Sequence, residues 1–270
     1  MISARTAAIY TGIGSFATLA VIATVINSFV ETSMDIRDIQ TNEHIDDIMA
    51  VSTPLDAPAS DNGTIFLDGY WGKSTVTVSF FSAGMAQQQF DQVSKSLRTY
   101  LNLASKGQQP AQNATQQQTL TTATTTFYPA WPDLLQKVSA QSKNVPVLQL
   151  VDPGSNGADI KVFLEADSHP QGKPGMTRIG RDKATFEILY AEVHIYSALD
   201  LYEKGYVGPI FEHELGHALG LGHADIETSI MYTPMIIVDN SVAAAIANCE
   251  YDGASSLYVD RVVSQVSCVN

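Results

Sequence analysis

Apolar and polar residues alternate along residues 74–81, "STVTVSFF", after a glycine-containing turn, and this period of two predicts a β-strand. The period then changes. Within residues 83–105, Phe90, Val93, Leu97, Tyr100 and Leu101 recur at three- and four-residue spacing, which predicts an amphipathic helix. "ADIKVFLEA" (158–166) reads as a second strand, and "GMTRIGR" (175–181) and "FEILYAEVHIYS" (186–197) read as two more. "VGPIFEHELGHALGLG" (207–222) starts as a helix and is stopped by its glycines. No internal repeat is present.

Three stretches depart from this patterning. Residues 7–30, "AAIYTGIGSFATLAVIATVINSFV", carry no charge. A helix of that length rises about 36 Å, enough to cross a hydrocarbon core of ~30 Å. Arg5 precedes the segment, and Glu31, Asp35 and Asp38 follow it with Arg37 the lone positive charge nearby. That asymmetry places the N-terminus inside and the rest of the chain outside. The segment reads as a transmembrane anchor over residues 1–30. A cleaved signal peptide is the alternative, although no convincing A-x-A-like site stands near residue 30. The first reading puts the chain on the cell membrane with its domain outside, and the second secretes it.

Residues 31–62 mix acids, Ser, Thr and Pro and read as a stalk, leaving residues 63–270 as the folded domain. Residues 106–126 are rich in Gln and Thr, bury little apolar surface, and read as an exposed insertion. Asn62 and Asn113 stand in N-glycosylation patterns, which are frequent by chance.

Charge narrows the partners. The 270 residues include 15 Lys+Arg against 28 Asp+Glu, a formal charge of −13. Phosphate binding needs a basic face, so nucleic acid is not an expected partner. The hydrophobic content of 45% is ample for a buried core. The two cysteines, Cys249 and Cys268, are too few for a Cys-rich metal site. In an exported chain they read as one disulfide, with two reduced core thiols as the alternative.

The chemistry concentrates at residues 213–223, "HELGHALGLGH", which hold three of the chain's six histidines and one glutamate. His213 and His217 are four residues apart, so a helix sets both imidazoles on one face. Two such rings can bind one Zn²⁺. Glu214 is rotated from His213 by about 100° and can reach a water at the metal without ligating the metal itself. Gly220 lets the chain leave the helix, and His223 then supplies a third nitrogen from the turn. Three protein ligands with a fourth position open describe a catalytic zinc. Zinc makes hydroxide available near neutral pH, and Glu214 can pass its proton to a leaving amine, which is peptide hydrolysis.

The extended H-E-x-x-H-x-x-G-x-x-H pattern resembles the signature of the metzincin metalloproteases, in which a Met-turn follows. Here "SIMY" follows, with Met231 eight residues beyond His223. The spacing is similar to that of the matrixin branch, and "EYDGASSLYV" (250–259) looks like a matrixin C-terminal helix ending in Leu-Tyr. The resemblance implies an α+β, metzincin-like catalytic domain with a twisted mixed sheet, an active-site helix and a C-terminal helix. It implies a protein or peptide substrate, a structural rather than ligating Met231, and a cleft strand at "GMTRIGR" that pairs with extended substrate. It further implies that "YTP" after Met231 walls the pocket for the side chain following the scissile bond.

Matrixins also carry an upstream structural metal. Asp167, His169 and His194 hold comparable places and are the candidates for a second Zn²⁺ or a Ca²⁺, with ordinary loop and strand residues as the alternative reading. The chain departs from the matrixin pattern at Ala224, where Ser is usual. It also lacks any cysteine before residue 249 that could block the zinc from a propeptide. Tyr232 is one residue past Met231, not the two at which astacin-like enzymes place a tyrosine ligand, so it is not assigned to the metal.

The expected function is therefore a zinc-dependent endopeptidase facing outside the cell. A metal-containing peptide-binding or adhesion module with little turnover is the alternative, and a zinc amidase acting on cell-wall material is a third class.

Overall fold

The computed structural model describes residues 39–45, 48–50, 62–102, 126–233, 235–238, 241–242 and 245–269. The chain divides into Met1–Ile39 and Gln40–Asn270, and the described residues belong to the second unit but for Ile39. The apolar segment at 7–30 and nearly all of the insertion at 106–126 lie outside them. Among the described residues no helix is long and apolar enough to cross a membrane.

Short strands come first: β1 (Ile39–Ile45), β2 (Ile48–Ala50), β3 (Asn62–Leu67) and β4 (Tyr70–Trp71). β5 (Thr75–Ala83) follows, then helices α1 (Gln87–Asn102) and α2 (Trp131–Ser139). Next are β6 (Val147–Leu150), β7 (Ile160–Glu165), β8 (Gly175–Asp182) and β9 (Glu187–Ile195). Helices α3 (Ala198–Glu203) and α4 (Val207–Ala218) lead into β10 (Leu221–Ala224). β11 (Met235–Val238), β12 (Ser241–Val242), α5 (Asn248–Ser255), a π-helical turn (Ser256–Asp260) and β13 (Gln265–Val269) complete the chain.

The main sheet has the order β1-β8-β9-β7-β5-β6, with β4 also on β9. It is mixed: β9, β7, β5 and β6 run parallel, and β8 is antiparallel to β9. Parallel neighbours cannot be joined by tight hairpins, and α1 and α2 lie in the crossover from β5 to β6. Two smaller sheets, β10-β3-β13 and β12-β11-β2, lie outside the main one.

The alternating residues of β5 explain its place. Val76, Val78 and Phe80 are fully buried. α1 presents Phe90, Val93, Leu97 and Leu101 to the same core, the face its spacing predicts. The helix begins at Gln87 rather than near residue 83 because Gly84, at φ +82°, turns the chain between strand and helix. α2 follows the same logic, burying Trp131, Leu134, Leu135 and Val138 with Pro132 in its first turn, where the missing N–H costs nothing.

Of the segment expected to be a stalk, 31–62, residues 31–38, 46–47 and 51–61 lie outside the described residues. Residues 39–45 and 48–50 are the strands β1 and β2, paired with β8 and β11, and β3 begins at Asn62. Composition averaged over that segment hides strands this short, which form because two sheet edges accept their backbone hydrogen bonds. At the other end, β13 pairs with β3, and Cys249 and Cys268 form a disulfide that joins α5 to β13.

Candidate active site

α4 is almost wholly buried and packs against β8 and β9. Its C-terminal carbonyls would be orphaned in the core without donors. Trp71 Nε1 donates to the Ala218 carbonyl and the Tyr258 hydroxyl donates to that of Leu219, both at 2.8 Å. Burial raises the Tyr258 phenol above its ordinary range, which keeps it a donor. The helix stops at Gly220, whose φ is +93°. A Cβ there would meet the Gly69 carbonyl oxygen at 1.9 Å, so strand-side backbone fills the space any other residue would need. The chain then turns into β10, which carries His223.

This turn brings the three histidines together. Their ligand atoms all lie within 4.8 Å of one another, and they are the one group of potential metal ligands that converges among the described residues. His213 Nδ1 faces the Ile230 carbonyl, and His217 Nδ1 faces the Leu221 carbonyl at 2.8 Å. A carbonyl oxygen only accepts, so the proton of each neutral ring belongs on Nδ1 and the Nε2 lone pair points inward. The two Nε2 atoms are 3.1 Å apart. Two lone pairs facing each other at that distance repel unless a cation lies between them. Nitrogens sharing a tetrahedral zinc at ~2.0–2.1 Å would be roughly 3.3 Å apart, so the donor set fits the metal.

Glu214 is buried beside the cluster. Thr177 Oγ1, on β8, lies 2.5 Å from Glu214 Oε2 and 3.0 Å from its carbonyl oxygen. Gly175, at the start of β8, leaves room for the carboxylate: a Cβ there would stand 2.1 Å from Oε1. The carboxylate is therefore set by the strand rather than by its own helix. Thr177 and Gly175 lay within the expected cleft strand, but nothing in the sequence marked them as partners of Glu214.

The preceding residue, Glu212, points elsewhere. Burial pushes its carboxyl up to about 8, so it is mainly neutral at pH 7. Its backbone carbonyl accepts from Trp131 Nε1 at 2.7 Å, which ties α2 to α4.

Met231 is fully buried below the helix. A Cβ on Gly216 would meet its sulfur at 2.3 Å, so the turn of α4 between the two histidines rests on this side chain. The Met231 carbonyl accepts from Ala224 N at 2.9 Å, tying the turn to the residue after His223. Ala224, where a serine was the familiar residue, is itself buried and serves through its backbone. Ser229 and Glu250 hold the turn from below. Glu250 accepts hydrogen bonds from the Ser229 hydroxyl and, at 2.9 Å, from Ala247 N, and its Oε1 lies 3.4 Å from Met231 N. Burial raises the Glu250 carboxyl above its usual range, with these hydrogen bonds pulling the other way. Glu250 belongs to the C-terminal helix, and its reach to the Met231 turn does not follow from spacing.

Asp167, His169 and His194 do not converge. His194 Nδ1 pairs with Glu165 at 2.8 Å and its ring stacks on Phe163, while His169 lies against Tyr196. A second metal centre, of zinc or calcium, is not formed from them among the described residues.

A family model described as Matrixin matches residues 66–259, more than half of the chain, and its span includes the three histidines, Glu214 and Met231. No curated protein matches the chain. With its mixed sheet, its three-histidine cluster and this match, the chain belongs to the matrixin family of zinc metallopeptidases.

Proposed function

We propose that the protein is a zinc-dependent endopeptidase acting on extended peptide segments, with Glu214 as general base. The observation that carries this reading is the convergence of His213, His217 and His223 beside a glutamate whose carboxylate is fixed by another element. His213, His217 and His223 would hold the ion. Bound zinc supplies Lewis acidity, polarising the scissile carbonyl and easing deprotonation of water. Glu214 takes a proton from the attacking water as its oxygen bonds to the carbonyl carbon. The same carboxyl then gives that proton to the amide nitrogen as the C–N bond breaks, so the amine leaves neutral. Thr177 keeps the carboxylate in place through both transfers.

β8, the strand beside Glu214, supports an extended substrate, because a strand that takes the place β1 holds on its outer side gains main-chain hydrogen bonds. The apolar segment at 7–30, with acids on its C-terminal side, supports an anchored or secreted enzyme working outside the cell. A mixed peptide library tests the reading. The zinc-loaded wild type should cut internal bonds and Glu214→Gln should not, with both proteins holding zinc. Equal cutting by both would remove Glu214 from the reaction. Cutting by neither would move the reading to a binding module.

A further inference from the structure

The third histidine reaches the cluster through an irregularity in β10. Leu221 pairs with Leu67 and Ala224 with Ile65, so Gly222 and His223 of β10 together stand opposite the single residue Phe66 of β3. All four paired residues are buried in the core. Side chains alternate along a strand, so Phe66, between Ile65 and Leu67, turns away from that core. On β10 the extra residue of the bulge turns both Gly222 and His223 the same way. Gly222 shows it directly: a Cβ there would stand 2.9 Å from the Cβ of Phe66. His223 and Phe66 therefore share the outer face of the β10-β3-β13 sheet.

Phe66 is 51% exposed. A lone exposed apolar side chain needs no explanation by itself. This one stands on the strand next to a histidine of the cluster, ~4.8 Å away across the ladder. The opposite edge of β10 meets the Met-turn segment: Ala224 N donates to the Met231 carbonyl, and Ala224 bridges to Tyr232. Phe66 and Tyr232 accordingly flank His223 from opposite sides.

We propose that Phe66 is a specificity-determining contact that takes an apolar side chain of the substrate, aromatic or large aliphatic, from the residues just before the scissile bond. This contact rests on the peptidase reading and names a feature of the peptide that the site selects. A peptide with its scissile carbonyl at the histidine cluster and its following side chain at Tyr232 carries its preceding residues past Phe66. An extended chain advances about 3.3 Å per residue, so one strand spacing is covered within two residues of the bond. A hydrophobic pocket discriminates about 10- to 200-fold for one methylene, and a ring half open to water belongs at the lower end.

The test profiles cleavage by the zinc-loaded full chain as wild type, Phe66→Ser and Phe66→Lys, on a peptide library randomised on both sides of the bond. Wild type should favour Phe, Tyr, Leu or Met over Ser by about tenfold in kcat/KM at one of the two positions before the bond. Phe66→Ser should lose that preference, with zinc content and the profile after the bond unchanged. Phe66→Lys should select Asp or Glu at the same position, through the opposite charge. Binding is read without turnover from acetyl-diphenylalanine hydroxamate and acetyl-diserine hydroxamate. Their Kd values should differ about tenfold on wild type and less than about twofold on Phe66→Ser.

An unchanged profile in both variants with unchanged hydroxamate selectivity would overturn the contact. So would a preference lost only at positions after the bond. Loss of zinc or of folding in both variants would overturn it as well, because Phe66 would then support His223 rather than meet substrate. Failure of the peptidase reading looks different: none of the three proteins cleaves the library or binds either hydroxamate, whereas a failed contact leaves cleavage intact and the preceding positions unaltered.

Discussion

Thr177 Oγ1 lies 2.5 Å from Glu214 Oε2, so a hydroxyl on β8 fixes the carboxylate proposed as general base. Thr177→Val keeps the shape and removes the hydrogen bond. A hydrogen bond to a charged group contributes about 1.5–3 kcal/mol, or roughly 10- to 100-fold in rate if it acts on the transition state. Steady-state kinetics should show kcat lower by that factor, with zinc content unchanged. A loss confined to KM would mean that Thr177 serves binding instead.

Gly175→Ala should act on the same carboxylate from the other side. The added methyl would stand 2.1 Å from Oε1, and the side chain can relieve the clash only by leaving its position. A displacement of about 1 Å at a reacting group can cost on the order of 100-fold. Activity should therefore fall steeply while the thermal midpoint and zinc stoichiometry stay close to wild type. A matching loss of zinc would show that the histidine cluster had moved as well.

The reach of sequence reasoning differs between these groups. His213, His217 and His223 were legible because helical spacing and a glycine stop are local facts. Met231 was legible only through resemblance. Thr177, Gly175 and Glu250 act across the fold, at separations from Glu214 or Met231 that no periodicity encodes. β1 and β2 were missed for a related reason: whether "IQTNEHI" becomes a strand depends on the edge of β8, over a hundred residues away. α2 was different. Its i, i+3, i+4, i+7 pattern from Trp131 to Val138 is present in the sequence, but it spans only nine residues beside a low-complexity stretch.

Glu250→Ala should loosen the turn beneath the histidines. It removes a buried acceptor of bonds from Ser229 and Ala247 N and leaves those donors unsatisfied. The expected cost is roughly 2–4 kcal/mol. Thermal unfolding should show a clear drop in midpoint, and zinc should dissociate faster because Met231 supports α4 from below. A stability loss with unchanged zinc off-rate would confine Glu250 to folding.

Asp159 should shape the acid limb of stability. Burial alone would raise its carboxyl, but hydrogen bonds from Lys73 and from Thr77, whose N and Oγ1 lie at 2.9 and 2.8 Å, outweigh it and hold the group below its usual value of 3.8. A folded pKa below the unfolded one stabilises the protein above pH 3.8, and this is lost as pH falls through the folded value. Asp159→Asn should therefore be less stable at neutral pH, by roughly 1 kcal/mol because Lys73 is half exposed, with a flatter acid limb. Denaturant melts between pH 2 and 7 would check both, and parallel curves for the two proteins would contradict the assignment.

Metal content is the most direct measure of the central claim, that His213, His217 and His223 form one zinc centre. The full chain should be stripped with a chelator, reloaded and analysed beside Glu214→Gln and His217→Ala. Wild type and Glu214→Gln should each retain about one zinc per chain, as expected for a three-ligand catalytic site, and His217→Ala should retain far less while staying folded. A folded wild type that holds no zinc, or a His217→Ala protein that holds as much, would contradict the account.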